Sequence, residues 1–180
     1  MGCLQITPSK SWQIVDFSKK YLDEAASVYA QGLLMEKPPG SIESLDELTE
    51  GMRLHLKIFL MEQQKKNRHI WLALKGTSII GLLDFYHKPD ELFIRFICAI
   101  PPYQGTGTRL LRHLAEYGQS HNLTVIRTTV SSIDSRTLNF YFEHLGFQKV
   151  GTRVEEPGFE LFVAAIQSQV LLEKIQKKYQ

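Results

Sequence analysis

The stretch Cys98-Ala99-Ile100-Pro101-Pro102-Tyr103-Gln104-Gly105-Thr106-Gly107-Thr108-Arg109-Leu110-Leu111 decides the fold. An apolar run from Leu92 to Ile100 stops at two prolines, turns through a glycine-threonine loop and enters an amphipathic segment. That pattern is strand, tight turn and helix, with the glycines at the helix start. A helix N-terminus offers unpaired backbone N–H groups and the positive end of a dipole, which suits a phosphate. Gly105 and Gly107 have no Cβ, so a pyrophosphate can come close to the backbone there. The first expectation is a phosphate-bearing ligand at residues 104–108. The plainer reading is a turn that needs only glycine flexibility. A Walker loop would carry a lysine followed by Ser or Thr after the second glycine, where Thr108-Arg109 stand. A dinucleotide fingerprint would carry a third glycine where Leu110 stands, so both motifs are disfavoured.

The chain has 180 residues, 43% hydrophobic and 22% charged, which fits one domain (1–180) with a sizeable core. A net charge of +2 is too small to point to nucleic acid. The short basic patches Lys65-Lys66-Asn67-Arg68 and Lys174 to Lys178 read as solvated helix ends. Cys3 and Cys98 lie far apart, and Cys98 falls within an apolar strand, so a reducing compartment is expected. No apolar run reaches the roughly 18 residues of a membrane span, and no secretory pattern opens the chain. Met1-Gly2-Cys3 has the start of an acylation signal, but Ile6 stands where Ser or Thr is needed. A cytoplasmic protein is expected, with neither membrane nor nucleic acid as partner, as a monomer or homodimer.

Outward from the loop, Trp12 to Phe17 reads as a short strand. Ser18 is placed to cap a helix bearing Tyr21, Leu22, Ala25, Val28, Tyr29 and Leu33. Lys37-Pro38-Pro39-Gly40-Ser41 breaks it, and Ser44-Leu45-Asp46-Glu47 has capping-box spacing for a second helix ending near Lys66. Ile70 to Leu74 and Ser78 to Tyr86 are strands joined at Lys75-Gly76-Thr77, and Glu91 to Ile100 is a central strand, apolar on both faces. A helix from Gly105 and a strand from Leu123 to Val130 follow. Asp134 to Leu145 is a helix with Leu138, Phe142 and Leu145 inward. Strands Gln148 to Val154 and Phe159 to Ala165 and a helix Val170 to Tyr179 complete the chain. The order β-α-α-β-β-β-α-β-α-β-β implies an α/β (α+β) fold, a mixed sheet of about seven strands flanked by helices. Ligands bind where such strands end and splay, here after Ile100 and Val130.

This order, with a glycine loop after the fourth strand, resembles the GNAT family of acetyl-CoA-dependent N-acetyltransferases. The family's pyrophosphate motif, Gln/Arg-x-x-Gly-x-Gly/Ala, is similar to Pro102-Tyr103-Gln104-Gly105-Thr106-Gly107, with Pro102 at the Gln/Arg position and Gln104 nearby to take that role. Tyr141-Phe142-Glu143-His144-Leu145-Gly146-Phe147 resembles the family's second signature, and the likeness spans residues 12 to 165, leaving 166–180 as a terminal helix. Phe96-x-Cys98-Ala99-Ile100 and His113-Leu114-x-Glu116-Tyr117 look like the histone acetyltransferase branch, without fixing a histone substrate. The resemblance implies acetyl-CoA as co-substrate, splayed between the fourth and fifth strands. The residues it implies for that ligand are Cys98, Ala99, Ile100, Gln104, Gly105, Thr106, Gly107, Thr108, Arg109, Ser135, Asn139 and Phe142, with Arg136 also on the far wall. Cys98 to Ile100 would hold the pantetheine arm and thioester through their backbone, and Gln104 to Thr108 the pyrophosphate.

Acetyl transfer to an amine needs a deprotonated amine, a stabilised oxyanion and a departing thiolate. The N–H of Cys98, freed by a bulge, is the candidate oxyanion donor, while its thiol reads as core packing. In the resemblance Ile94 stands where the histone branch has a glutamate base. Asp84, inside an apolar strand where burial would raise its pKa, is the first candidate base, and Glu91 the second. Phe142 stands where many relatives have a tyrosine acid, which leaves Tyr141 beside it as the candidate. The six histidines offer no short ligand pair, so no metal is expected.

The resemblance also implies that residues 35–44 and 154–159 frame the acceptor, an amine of a small molecule or a protein. Glu36, Glu43, Asp46, Glu47 and Glu50 would favour a cationic amine there, or simply complement a helix dipole. Two other classes stay open: a non-catalytic acetyl-CoA sensor of the same fold, and a protein binding ATP or NAD through the loop.

Overall fold

The computed structural model describes residues 12–36, 44–62, 67–102, 104–156 and 159–178. The expectations for Met1-Gly2-Cys3, the break at Lys37 to Ser41, Glu43, Lys65-Lys66, Tyr103 and Tyr179 lie outside them. Along the chain run β1 (Trp12–Asp16), α1 (Leu22–Glu36), α2 (Leu45–Glu62), β2 (Arg68–Lys75), β3 (Ser78–His87), β4 (Glu91–Ala99) and α3 (Thr106–Ser120). Then come β5 (Val125–Ser131), α4 (Ser135–Leu138), β6 (Gln148–Glu156), β7 (Phe159–Gln167) and α5 (Ser168–Lys178). Among the described residues the strands form one mixed sheet in the order β1-β2-β3-β4-β5-β7-β6, with β4 and β5 as the parallel pair. This is the seven-stranded, helix-flanked α+β architecture that the element order implied.

The sheet separates two cores. On one face α3 and α5 bury Leu110, Leu111, Leu114, Leu171 and Ile175 against Leu83, Phe85, Leu92, Ile94 and Ile126. On the other face α1 and α2 bury Ala25, Tyr29, Leu56 and Phe59 against Ile70, Leu72, Leu82 and Phe96. Strand β4 changes face because its pairing with β3 skips Arg95: Phe85 opposes Ile94, and Asp84 opposes Phe96. That one-residue bulge sends Ile94 to the α3 side and Phe96 to the α1 side. A run that is apolar on both faces had concealed it, because no alternation marks where the face changes.

Three local expectations need correction. Ser18 gives no side-chain cap; a 3₁₀ turn at Lys19–Tyr21 precedes α1, with the Tyr21 N–H donating to the Ser18 carbonyl at 2.9 Å. Arg68 is not part of a solvated helix end but the first residue of β2. The helix after Asp134 keeps α geometry only to Leu138 and widens into a π winding over Asn139–His144. Leu145 N–H then reaches back five residues to the Phe140 carbonyl at 3.1 Å. The extra residue per turn rotates Tyr141 into the core, at 3% exposure against Phe147, while Leu138 and Phe142 stay partly buried. The capping box is present: the Ser44 N–H donates to Glu47 Oε2 at 3.0 Å, and the Glu47 N–H to Ser44 Oγ at 3.2 Å.

Helix α1 crosses β4 at Gly32, where an added Cβ would lie 2.6 Å from Cys98 Cβ and 2.7 Å from Phe96 Cζ. No flexible side-chain end can give way, so the helix sits this close only because the residue is glycine. Gly51, inside α2, has nothing within 4 Å of the same position. Urea denaturation should therefore separate the two. Gly32→Ala should lose about 1–3 kcal/mol by overpacking, and Gly51→Ala should gain about 1 kcal/mol from helix propensity. A Gly32→Ala protein as stable as the parent would refute this packing.

Candidate active site

Strands β4 and β5 pair only from Glu91 with Val125 to Ile94 with Thr128. Beyond that point each strand keeps its other neighbour. β4 stays with β3 to the Ala99–Gly81 pair, and β5 stays with β7 to the Ser131–Leu161 pair. The sheet therefore opens into a gap, and the Thr128 hydroxyl, 3.3 Å from the Ile94 carbonyl, closes its apex. The Ile100 N–H donates to the Ile80 carbonyl at 2.9 Å. In an antiparallel ladder such groups alternate, so Cys98 also turns its N–H toward β3, at its partner Leu82. Ile97 and Ala99 turn theirs into the gap. Ile97 was not nominated from the sequence; strand alternation would have found it once one hydrogen bond of the ladder was known.

The gap ends at α3. Gly105 holds φ +76°, a left-handed conformation that suits glycine, and no side chain caps the helix behind it. The first intrahelical bond runs from the Arg109 N–H to the Gly105 carbonyl at 3.0 Å, leaving the N–H groups of Thr106, Gly107 and Thr108 outside the helical ladder. No acidic residue stands in this first turn, so its positive end is not offset. Thr106 and Thr108 are buried, and the Gly107 Cβ position lies 3.9 Å from the Phe140 ring across the opening. Gln104, Ser135 and Asn139 are exposed. Arg136 donates to the Met35 carbonyl near the end of α1 at 2.9 Å. Arg109 turns away instead and lies over the Trp12 ring, 5.1 Å from its centroid.

On the α1 side of β4 sits a buried polar cluster around Asp84, which is fully buried. Arg68 holds both carboxylate oxygens, Nε to Oδ1 at 2.9 Å and Nη2 to Oδ2 at 2.5 Å, and the Tyr29 hydroxyl donates to Oδ2 at 3.0 Å. Arg68 Nη2 also meets His55 Nε2 at 2.6 Å, so that nitrogen accepts and the other carries the proton. Burial, then the Asp84 charge, pushes the Tyr29 hydroxyl well above its usual value. Burial pulls Arg68 down, but the Asp84 hydrogen bonds and charge outweigh it and leave Arg68 raised. Burial and the Arg68 charge lower His55. Tyr29 also stacks on Phe96 with centroids 4.4 Å apart, tying the cluster to the bulge.

The second candidate base is equally engaged. Glu91 is bonded by Lys88 at 2.9 Å and by Arg127. Partial burial raises its carboxyl, but these two cations prevail and hold it below the usual range. Two of the acidic residues near the second helix, Glu47 and Glu50, are engaged as well. Glu47 is lowered by its bonds to Ser44, and Glu50 pairs with Arg53, which also takes Asp23 at 2.8 Å. Among the described residues no group of three or more His, Cys, Asp or Glu side chains is arranged to hold a metal. No helix among them is long and apolar enough to cross a membrane.

The model of the acetyltransferase (GNAT) family aligns with residues 35–147. The chain belongs to that family, whose members are transferases of acyl groups. No curated protein sequence matches the chain. The fold is similar to that of the PaiA N-acetyltransferase of Thermoplasma acidophilum, solved with coenzyme A. Their TM-score is 0.67 at 15% identity, covering 87% of this chain and 99% of the other. The spermidine N-acetyltransferase of Vibrio cholerae, in complex with CoA and spermine, gives 0.64 at 18%, covering 89% and 98%. The ribosomal-protein-S18-alanine N-acetyltransferase of Escherichia coli gives 0.61 at 16%, covering 87% and 94%.

The cluster makes a sharp stability prediction. Arg68→Met removes the fork on a fully buried carboxylate while keeping most of the side-chain volume, and should cost about 3–5 kcal/mol. Chemical denaturation measures it, and a loss under about 1 kcal/mol would contradict the pairing, since that is the range of exposed ion pairs.

Proposed function

We propose that the protein transfers the acetyl group of acetyl-CoA to a primary amine by direct attack, with no covalent enzyme intermediate. The observation that carries this reading is the gap between β4 and β5, bounded by the free groups of Ile97 and Ala99 and by the start of α3. The N–H groups of Thr106, Gly107 and Thr108 suit the pyrophosphate, and those of Ile97 and Ala99 suit the amide-rich pantetheine arm running along β4. Ile97, nearer the apex, is then the donor to the thioester oxygen, where negative charge develops as the amine attacks.

Proton traffic follows from what the side chains are already doing. Asp84 is sealed behind Arg68 and Tyr29, so its part is to hold the acceptor side of β4 in shape rather than to take a proton. Glu91, held low by Lys88 and Arg127, is a weak base. The amine therefore gives its proton to water and attacks as the neutral species. Tyr141 packs in the core against Phe147, and the leaving thiolate, with a pKa of roughly 8.5, departs without an acid. The aqueous route of the proton fits a site whose buried carboxylate, Asp84, is already paired with Arg68.

Thermal denaturation with acetyl-CoA, CoA, ATP and NAD tests the binding half. Acetyl-CoA at a hundredfold excess over its dissociation constant should add about 2.7 kcal/mol of stability. Gly107→Glu, which has open space beside its Cβ position, should fold normally and lose that gain. A thiol-release assay then tests transfer: kcat/KM should rise with pH along the acceptor amine's own pKa. A response to ATP or NAD equal to that of CoA would overturn the reading, and CoA binding without turnover on any amine would leave a sensor of the same fold.

A further inference from the structure

We propose that Arg95 is the anion-binding residue of the acceptor site, and that the acceptor is an amine that also carries a carboxylate. This rests on the transferase reading above and names its substrate class.

The position of Arg95 is set by the bulge. It is the residue of β4 that opposes nothing on β3, between the Ile94–Phe85 and Phe96–Asp84 pairs. Its guanidinium comes to 3.8 Å from Asp84 Oδ2, the oxygen that Tyr29 of α1 also bonds, which puts Arg95 on the α1 face. Phe96 goes under Tyr29, and Arg95 stands beside it on the same α1 side, next to the apex where β4 and β5 part. Its guanidinium lies 5.7 Å from the Tyr86 ring centroid, and its side chain is 35% exposed against 10% for Arg68. An Arg flanked by an aromatic ring is restrained in orientation while its outer nitrogens remain open to solvent.

Charge counting gives the sign of the missing partner. Asp84 is the one carboxylate within 4 Å of Arg95 among the described residues, and its oxygens are already held by Arg68 and Tyr29. Arg95 Nη1 stays 3.8 Å from Oδ2, beyond a hydrogen bond. Two guanidinium groups thus share one carboxylate, an excess of one positive charge over β3, on the α1 side of the sheet and one strand away from the opening. The neighbouring cations Arg127 and Lys88 also share one carboxylate, but Glu91 bonds both, whereas Arg95 stays beyond hydrogen-bond distance of Asp84. A cationic polyamine would meet repulsion at this point. A carboxylate would be taken by the planar fork of Arg95, holding the amine of the same molecule toward the gap.

Matched pairs of acceptors test this: free amino acids and their decarboxylated amines, with spermidine added, assayed by thiol release. The wild type should favour the carboxylate-bearing member in kcat/KM by about tenfold or more, the worth of one charge-assisted hydrogen bond. Arg95→Gln should erase that preference through KM with kcat little changed, and Arg95→Lys should retain part of it. Both variants should keep the thermal response to acetyl-CoA, which separates this claim from the cofactor reading. Equal or better turnover of the decarboxylated amines or spermidine would overturn the carboxylate subsite alone. So would an Arg95→Gln loss that falls equally on both members of a pair. Absence of any acetyl-CoA response in the wild type would overturn the transferase reading and this inference with it.

Discussion

Parallel pairing between β4 and β5 lasts four residue pairs, and the site depends on its stopping there. Backbone N–H and C=O groups in a sheet interior are costly to leave unmade, so a strand pair opens only where side chains, water or a ligand can bond them instead. Here the opening is enforced from both sides. β4 keeps a ladder with β3 as far as Ala99, and β5 keeps one with β7 as far as Ser131. Two well-paired half-sheets diverge because each is held by its own outer neighbour, and the Thr128 hydroxyl closes the point where they meet. Below the gap, α3 begins on a left-handed glycine and leaves its first N–H groups aimed outward.

The α1 face of the sheet is built by different physics. A fully buried carboxylate is tolerated only with good geometry, and Arg68 and Tyr29 provide it. Those partners come from β2 and α1, so the ion pair pins three elements across one face of β4. Gly32 lets α1 come down onto Cys98 and Phe96, bringing Tyr29 within reach of Asp84. Packing and charge are therefore coupled. The helix approach positions the tyrosine, the tyrosine and arginine occupy the aspartate, and Arg95 at the bulge keeps an outward-facing charge.

Much of the frame was legible because it is written in local chemistry. The prolines and glycines of residues 101–107 announce a turn into a helix, Ser44 and Glu47 announce a cap, and alternation marks the strands. What was not legible depends on residues far apart or on backbone irregularities without a residue signature. Arg68 reaches Asp84 across 16 positions and Tyr29 across 55, and nothing in the local pattern of either announces it. The bulge at Arg95 hides in an apolar run, although a lone charge inside that run was a clue. The π winding after Leu138 uses ordinary helix formers and still turns Tyr141 rather than Phe142 inward. Backbone phase was the costliest omission: nominating Cys98 for its N–H requires knowing which way the ladder alternates, and the Ile100 bond to Ile80 gives the opposite phase.

That phase is the central claim, and backbone amide NMR reads it directly. On titration with CoA, the amide signals of Ile97, Ala99, Thr106, Gly107 and Thr108 should move together, while those of Cys98 and Ile100 stay nearly in place. Large shifts at Cys98 and Ile100 with Ile97 and Ala99 unmoved would contradict the account, because the ligand would then be reading the other edge of β4.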